Sequence, residues 1–154
     1  LTEARQIFED YSGRDSRYIM SIAACYNYIG DACRATGDYQ SALSYYKIAI
    51  EKGTGKVVTN GLGQFYSNAG QIYYLLGKIK LAQEYLEQAV ACFERHGYYW
   101  GLERAEAYMA LVLLEKGETE QAKKHYKKGV QLSEKMNNPT TVKVLKEIKN
   151  KAGF

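Results

Sequence analysis

The sequence predicts an all-α protein: a solenoid of antiparallel helix hairpins, with about eight helices. Three observations predict it. A turn signature recurs at a spacing of 40 residues, as Gly37-Asp38-Tyr39-Gln40-Ser41-Ala42, Gly77-Lys78-Ile79-Lys80-Leu81-Ala82 and Gly117-Glu118-Thr119-Glu120-Gln121-Ala122. After each turn an apolar stripe runs at helical spacing, as Ala42, Tyr46, Ala49 and Ile50 do in the first. Finally, the 154 residues contain one proline, a residue that removes an internal hydrogen bond wherever it enters a helix.

The elements follow in order. Glu3-Ala4-Arg5-Gln6-Ile7-Phe8 sets Ala and Phe four apart and predicts a helix over 2–11, the second helix of a repeat whose first is missing. The next helix, 17–36, carries Tyr26, Ile29, Gly30 and Cys33 on one face and stops at Gly37, where a left-handed cap suits glycine. Helix 39–53 returns along it. Helices 57–76 and 79–96 repeat the pair with Gly70, Tyr73, Ala82, Leu86, Ala89 and Val90. Helices 99–116 and 119–136 repeat it again with Ala110, Leu113, Ala122, Tyr126, Gly129 and Val130. The small residues Gly30, Gly70 and Ala110 let the partner helix approach closely. Asn138-Pro139 starts a last helix over 139–151, with Asn as cap and Pro in the first turn. Val142, Val144, Leu145 and Ile148 are its apolar face.

Each hairpin leaves an apolar face that only the next can cover, so the units stack. The expected organisation is one domain over 1–154. It divides into a half unit with loop (1–16), repeats at 17–56, 57–96 and 97–136, and a terminal helix segment (137–154). The chain reads as a piece of a longer protein.

Composition narrows the function. Tyrosine is abundant, 15 against 4 Phe and 1 Trp, which suits half-buried positions that keep a hydroxyl at a wet edge. No apolar run reaches the roughly 20 residues of a membrane helix. Cys25, Cys33 and Cys92 form no CxxC pair and are odd in number, which predicts a reducing, cytoplasmic setting. The net charge of +4 is uneven: residues 122–154 hold nine Lys and two Glu. That stretch interleaves neither aromatics nor arginines as a base-reading surface would, so it reads as a solvated helix face and argues against nucleic acid.

The set of small residue, ring, turn Gly, Ala, ring and Ala resembles the tetratricopeptide repeat. The unit from Tyr26 to Lys52 carries it best, through Tyr26, Ile29, Gly30, Gly37, Asp38, Tyr39, Ala42, Tyr46 and Ala49. The third unit departs, with Glu106 where an aromatic is usual and Gly129 for Ala, which puts its packing in doubt. The period of 40, with Trp100-Gly101-Leu102 matching Asn60-Gly61-Leu62, is similar to the long repeats of bacterial MalT-like regulators and signalling ATPases. The resemblance implies a right-handed superhelix, no catalysis and no cofactor. It also implies a protein or peptide bound on the concave face, along the first helix of each pair.

Helix geometry places the partner-facing positions opposite the Tyr26 stripe. They are Asn27, Asp31 and Arg34; then Ser67, Gln71 and Tyr74; then Arg104, Ala107, Leu111 and Leu114. The polar members suit an extended backbone or a carboxylate; the apolar ones suit a side chain or a neighbouring helix. Chaperone-type carboxylate clamps of this family use Lys and Asn, and Asp31 at such a place would repel a carboxylate. The exposed ends lack polar caps, which predicts self-association.

Chemical motifs fail on inspection. Gly53-Thr54-Gly55-Lys56 lacks the earlier glycine of a phosphate loop and has Val57 where Ser or Thr would hold magnesium. Gly61-Leu62-Gly63 lacks the third glycine of a dinucleotide fingerprint. Cys92 and His96 are two possible ligands without a second pair, so no metal site is expected. His125 reads as surface. The expectation is a protein- or peptide-interaction module of a larger regulatory or signalling protein, probed against peptide sensing and, behind it, basic-helix contact with nucleic acid.

Overall fold

The structure is a computed structural model that describes residues 3–7, 19–54 and 60–154. Its helices are α1 (residues 3–7), α2 (Ile19–Ala35), α3 (Tyr39–Gly53), α4 (Asn60–Leu75), α5 (Ile79–Arg95), α6 (Leu102–Glu115), α7 (Thr119–Met136) and α8 (Pro139–Ala152). The fold is an all-α helical repeat, as expected. The remaining residues of the helix expected over 2–11, with 17, 18 and 57–59 of two others, lie outside the described residues.

The turns are built alike because their glycines are. Gly37, Gly77 and Gly117 sit at φ +80, +69 and +76, where a Cβ would be strained. In each turn the glycine N–H donates three residues back, Gly37 to Arg34, Gly77 to Tyr74 and Gly117 to Leu114. The following N–H donates five back, from Asp38 to Cys33, Lys78 to Tyr73 and Glu118 to Leu113. This is the Schellman pattern, which satisfies the carbonyls of the helix end. A fourth copy closes α5 at Gly97.

The residue after each repeat-turn glycine is the N-cap of the next helix, and there the three turns differ. Asp38 caps α3 by accepting from the Ser41 N–H at 3.1 Å, whereas Lys78 and Glu118 offer no side-chain cap. Lys78 has nearly the backbone angles of Asp38 and places a positive charge at the positive end of α5. Lys78→Asp is therefore expected to raise the melting temperature by about 2–4 °C, read by circular dichroism. An unchanged melting point would show that this cap position is energetically idle.

Helix α6 begins at Leu102 rather than 99. Gly101 takes φ +97 as its N-cap, and its N–H donates to Glu103 Oε2 at 2.7 Å, so Tyr99 and Trp100 are left in the turn. At the other end Asn138 caps α8 from its side chain and Pro139 fills the first turn.

Packing follows the small residues. A Cβ on Gly30 would lie 2.6 Å from the Tyr46 ring, and one on Gly70 would lie 2.8 Å from Leu86. These close approaches knit α2 to α3 and α4 to α5 around Ala42, Tyr46, Ala82 and Leu86, all fully buried. Tyrosines fill the seams: Tyr73 and Tyr66 meet Tyr85 edge-on at 4.9 and 5.8 Å between centroids. Burial and the bond to Tyr73 push the Tyr85 hydroxyl pKa up to about 12.

The third unit is well packed, contrary to the doubt raised by Glu106. That side chain is fully buried, and His125 and Lys128 reach it from α7. His125 is thus not a free surface residue. Gly129, in place of Ala, lies under Leu145 of α8 and the α6 backbone.

The first helices form one row: α2 touches α4, α4 touches α6, and α6 touches α8. Among the described residues the α3 backbone does not approach that of α5, nor α5 that of α7, although the Lys128 side chain of α7 reaches Glu94 of α5. The first helices therefore crowd together on the inner side of the curve, and the second helices splay on the outer side.

Candidate functional site

A groove of about 520 Å³ lies on the inner row, lined from α2, α4, the turn before α6 and α6 itself. Its floor is a ladder of amides and one carboxylate. Asn68 Nδ2 donates to Asn27 Oδ1 at 2.9 Å and to Asp31 Oδ1 at 3.3 Å. Asn27 Nδ2 donates to Asp31 Oδ2 at 3.3 Å, and Gln64 Nε2 donates to Asn68 Oδ1 at 2.7 Å. From the hairpin core the Tyr46 hydroxyl donates to Asp31 Oδ1 at 2.7 Å, and burial raises the pKa of that phenol. Arg34 pairs with Asp31 at 3.7 Å and donates to Gln71 Oε1 at 3.3 Å; Gln71 in turn donates to Ser67. A buried polar network fixes its members' rotamers, because each unpaired group would cost its desolvation energy.

The walls are aromatic. Tyr28 and Trp100 are more than half exposed, and Tyr98, stacked on buried Phe93, stands beside them. Met20 and Phe65 add apolar surface. Arg104 closes the α6 side. Its Nε is out of solvent without a hydrogen-bond partner, and so is Gln64 Oε1.

The ten residues expected to face a partner separate into three groups. Asn27, Asp31, Arg34 and Arg104 line the groove. Ser67 and Gln71 are buried beneath it, at 0% and 3% exposure, because α4 is clasped between α2 and α6 and its polar side chains bond one another. Ala107 and Leu111 are buried under Val144, Leu145 and Ile148, and half-buried Leu114 and Tyr74 pack at the same seam. Ala107 and Leu111 hold a neighbouring helix, α8, and are covered by it.

Sequence reasoning missed Tyr28, Gln64, Asn68, Tyr98 and Trp100. The signal for Gln64 was present: Ala24, Gln64 and Arg104 stand at the repeat spacing of 40, and all three line the groove. Trp100 was noted as part of a repeated motif but not as a wall.

Among the described residues no group of three or more His, Cys, Asp or Glu could hold a metal, and no helix is long and apolar enough to cross a membrane. Among the described residues the groove is lined by no Ser, Cys, His or Lys. The loop expected to fail as a phosphate site lies partly outside the described residues; its Thr54 turns back to donate to the Ile50 carbonyl. Gly61 and Gly63 are helical, and Gly63 gives Phe93 room.

Comparison with known proteins agrees with this fold. Residues 63–94 and 105–136 match the tetratricopeptide repeat family. Over 105 residues, 68% of its length, the chain is 31% identical to the type II methyltransferase M.CeqI of Rhodococcus hoagii, and it spans only 20% of that protein. Among solved structures it resembles aspartyl phosphate phosphatase F from Bacillus subtilis, with TM-score 0.78 and 20% identity, over 95% of this chain and 38% of that one. It also resembles the Rap conjugation gene regulator of the plasmid pLS20 in complex with the Phr* peptide, with TM-score 0.66 and 14% identity, over 89% and 38% of the two chains. With its repeated glycine turns and small-residue helix contacts, the chain has a helical-repeat fold in which residues 63–94 and 105–136 match the tetratricopeptide repeat.

Proposed function

We propose that this domain is a protein- or peptide-binding module, without catalytic activity of its own, of a larger cytoplasmic regulatory or signalling protein. The observation that carries it is the inner groove: a fixed amide floor between aromatic walls. An extended peptide presents alternating N–H and C=O groups, which such a floor can pair, while side chains enter between the rings. The floor is pre-bonded, so little rotamer entropy is lost when a peptide arrives. The peptide complex of the Rap regulator and the match to one fifth of a methyltransferase both support a recognition module joined to other domains. The division into units at 17–56, 57–96 and 97–136 belongs to the same proposal.

The lysine-rich end is a weaker surface for a partner. Lys128 is engaged with Glu94 and Glu106, and Lys151 with Glu115.

Trp100 is the only tryptophan, so it reports on the groove directly. Peptides selected from a random library against the domain should change its fluorescence and raise the melting temperature. Trp100→Ala should weaken labelled peptides by about thirtyfold in anisotropy titrations. A library that yields no binder, or binders indifferent to Trp100→Ala and silent in its emission, would rule the groove out.

A further inference from the structure

Among the described residues the charges of the groove do not balance: Asp31, Arg34 and Arg104 line it, one negative and two positive. Asp31 and Arg34 pair with each other. Arg104 is left with a desolvated Nε and no partner for it.

The carboxylates nearest in charge to Arg104 are already committed. Both Glu103 oxygens are taken, Oε2 by the Gly101 N–H and Oε1 by Asn138 Nδ2 at 3.1 Å. Asp31 accepts from Tyr46, Asn68 and Asn27. Burial, with the repulsion of Arg34 second, holds the Arg104 guanidinium below its usual pKa, even though Glu103, Asp31 and Tyr108 act in the opposite direction. A guanidinium whose Nε is kept from water without a hydrogen-bond acceptor carries a desolvation cost that folding alone does not recover. A ligand that supplies a carboxylate removes that cost, and the planar fork of arginine matches carboxylate geometry.

We infer that the groove selects peptides with an aspartate or glutamate side chain for Arg104, next to an apolar residue seated among Trp100, Met20 and Phe65. This deepens the peptide-binding reading and rests on it. Asp31 does not oppose it, because its oxygens are bonded within the floor and its charge is matched by Arg34. The acidic residue is received from α6, not at the α2 position where Asp31 would repel it.

The test uses the same random peptide library, followed by synthetic peptides in fluorescence anisotropy. Binders should be enriched in an acidic residue beside an apolar one. Replacing that acid by its amide should weaken binding to the wild-type domain by roughly tenfold or more. The same replacement should matter little to Arg104→Gln, and binding to wild type should fall with added salt. Arg104→Lys, which keeps the charge, should retain part of the preference. Arg104→Gln should melt no lower than wild type, since it removes a desolvated Nε that has no acceptor. Binders without acidic residues, or an amide replacement without effect, would overturn the inference while leaving peptide binding intact. A library with no binder would remove both.

Discussion

Tyr46→Ala is expected to destabilise the domain by about 3–5 kcal/mol, the cost of deleting a large buried ring. Tyr46 is fully buried, and its ring fills the space opposite Gly30, so truncation opens a cavity at a close contact between α2 and α3. Its hydroxyl also ties the core to the groove floor through Asp31. Tyr46→Phe separates the two roles. It keeps the ring and removes one hydrogen bond to a carboxylate, worth about 1.5–3 kcal/mol. The loss should be local, because repeat units are stabilised chiefly by their neighbours. Hydrogen exchange in Tyr46→Ala should accelerate first across α2 and α3, while α6 to α8 keep their protection. Uniform acceleration along the whole chain would contradict a repeat-by-repeat architecture. Groove function should follow: Tyr46→Phe leaves the fold standing but loosens Asp31, so it should weaken groove ligands by a smaller factor than Trp100→Ala does.

How far this could be read from the sequence depends on what each residue encodes. The turns were legible because only glycine takes φ near +75 without strain, so Gly37, Gly77 and Gly117 mark them directly. The helix faces were legible because Ala42, Tyr46 and Ala49 repeat at helical spacing. The start of α6 was not, because a left-handed Gly101 stabilised by Glu103 from inside the helix has no apolar period to announce it. The groove was half legible. Placing its residues opposite the Tyr26 stripe picks out Asn27, Asp31, Arg34 and Arg104, which line the groove. It fails for Ser67, Gln71, Ala107 and Leu111, because it treats each first helix as packed on one side only. In the fold α4 and α6 each have two such neighbours, so their accessible strip is narrower and rotated toward Gln64 and Arg104. Which side the next helix covers is a tertiary fact, and one helix's periodicity does not contain it.

Glu106 was legible only as an exception, and its chemistry gives the second large effect. Its carboxylate has no exposure. His125 Nδ1 lies 2.5 Å from Oε2, and Lys128 Nζ lies 2.7 Å from Oε1, an ion pair by distance whose angle falls outside hydrogen-bond geometry. Lys128 also reaches Glu94 of α5 at 2.5 Å, so one cluster joins α5, α6 and α7. Burial alone would push the Glu106 carboxyl up, but its contacts with His125 and Lys128 outweigh burial and hold it below 4.5. For Lys128, burial acts downward and Glu106 and Glu94 outweigh it, so its ammonium lies above 10.5. A carboxyl lowered by folding stabilises the fold above its unfolded pKa, and that contribution is lost as pH falls through the folded value. An ammonium raised by folding stabilises below its unfolded pKa and loses that contribution as pH rises through the folded value. The Glu106–Lys128 pair should therefore hold fully between about pH 4.5 and 10.5 and weaken on both sides. Lys128→Met leaves Glu106 buried with only His125, and should cost about 3 kcal/mol at neutral pH, the lower end for breaking a buried pair because Lys128 is partly exposed. Replacing Glu106, His125 and Lys128 together by Met, Leu and Met removes the stranded charge as well as its partners. That variant should regain wild-type stability or exceed it, and its denaturation midpoint should fall less than the wild type's as the pH is lowered through the carboxylate range, the Asp38 cap still contributing. If the triple variant is less stable than Lys128→Met alone, the cluster contributes net stability rather than only satisfying a buried acid, and the exchange of aromatic for glutamate in this repeat stabilises the fold.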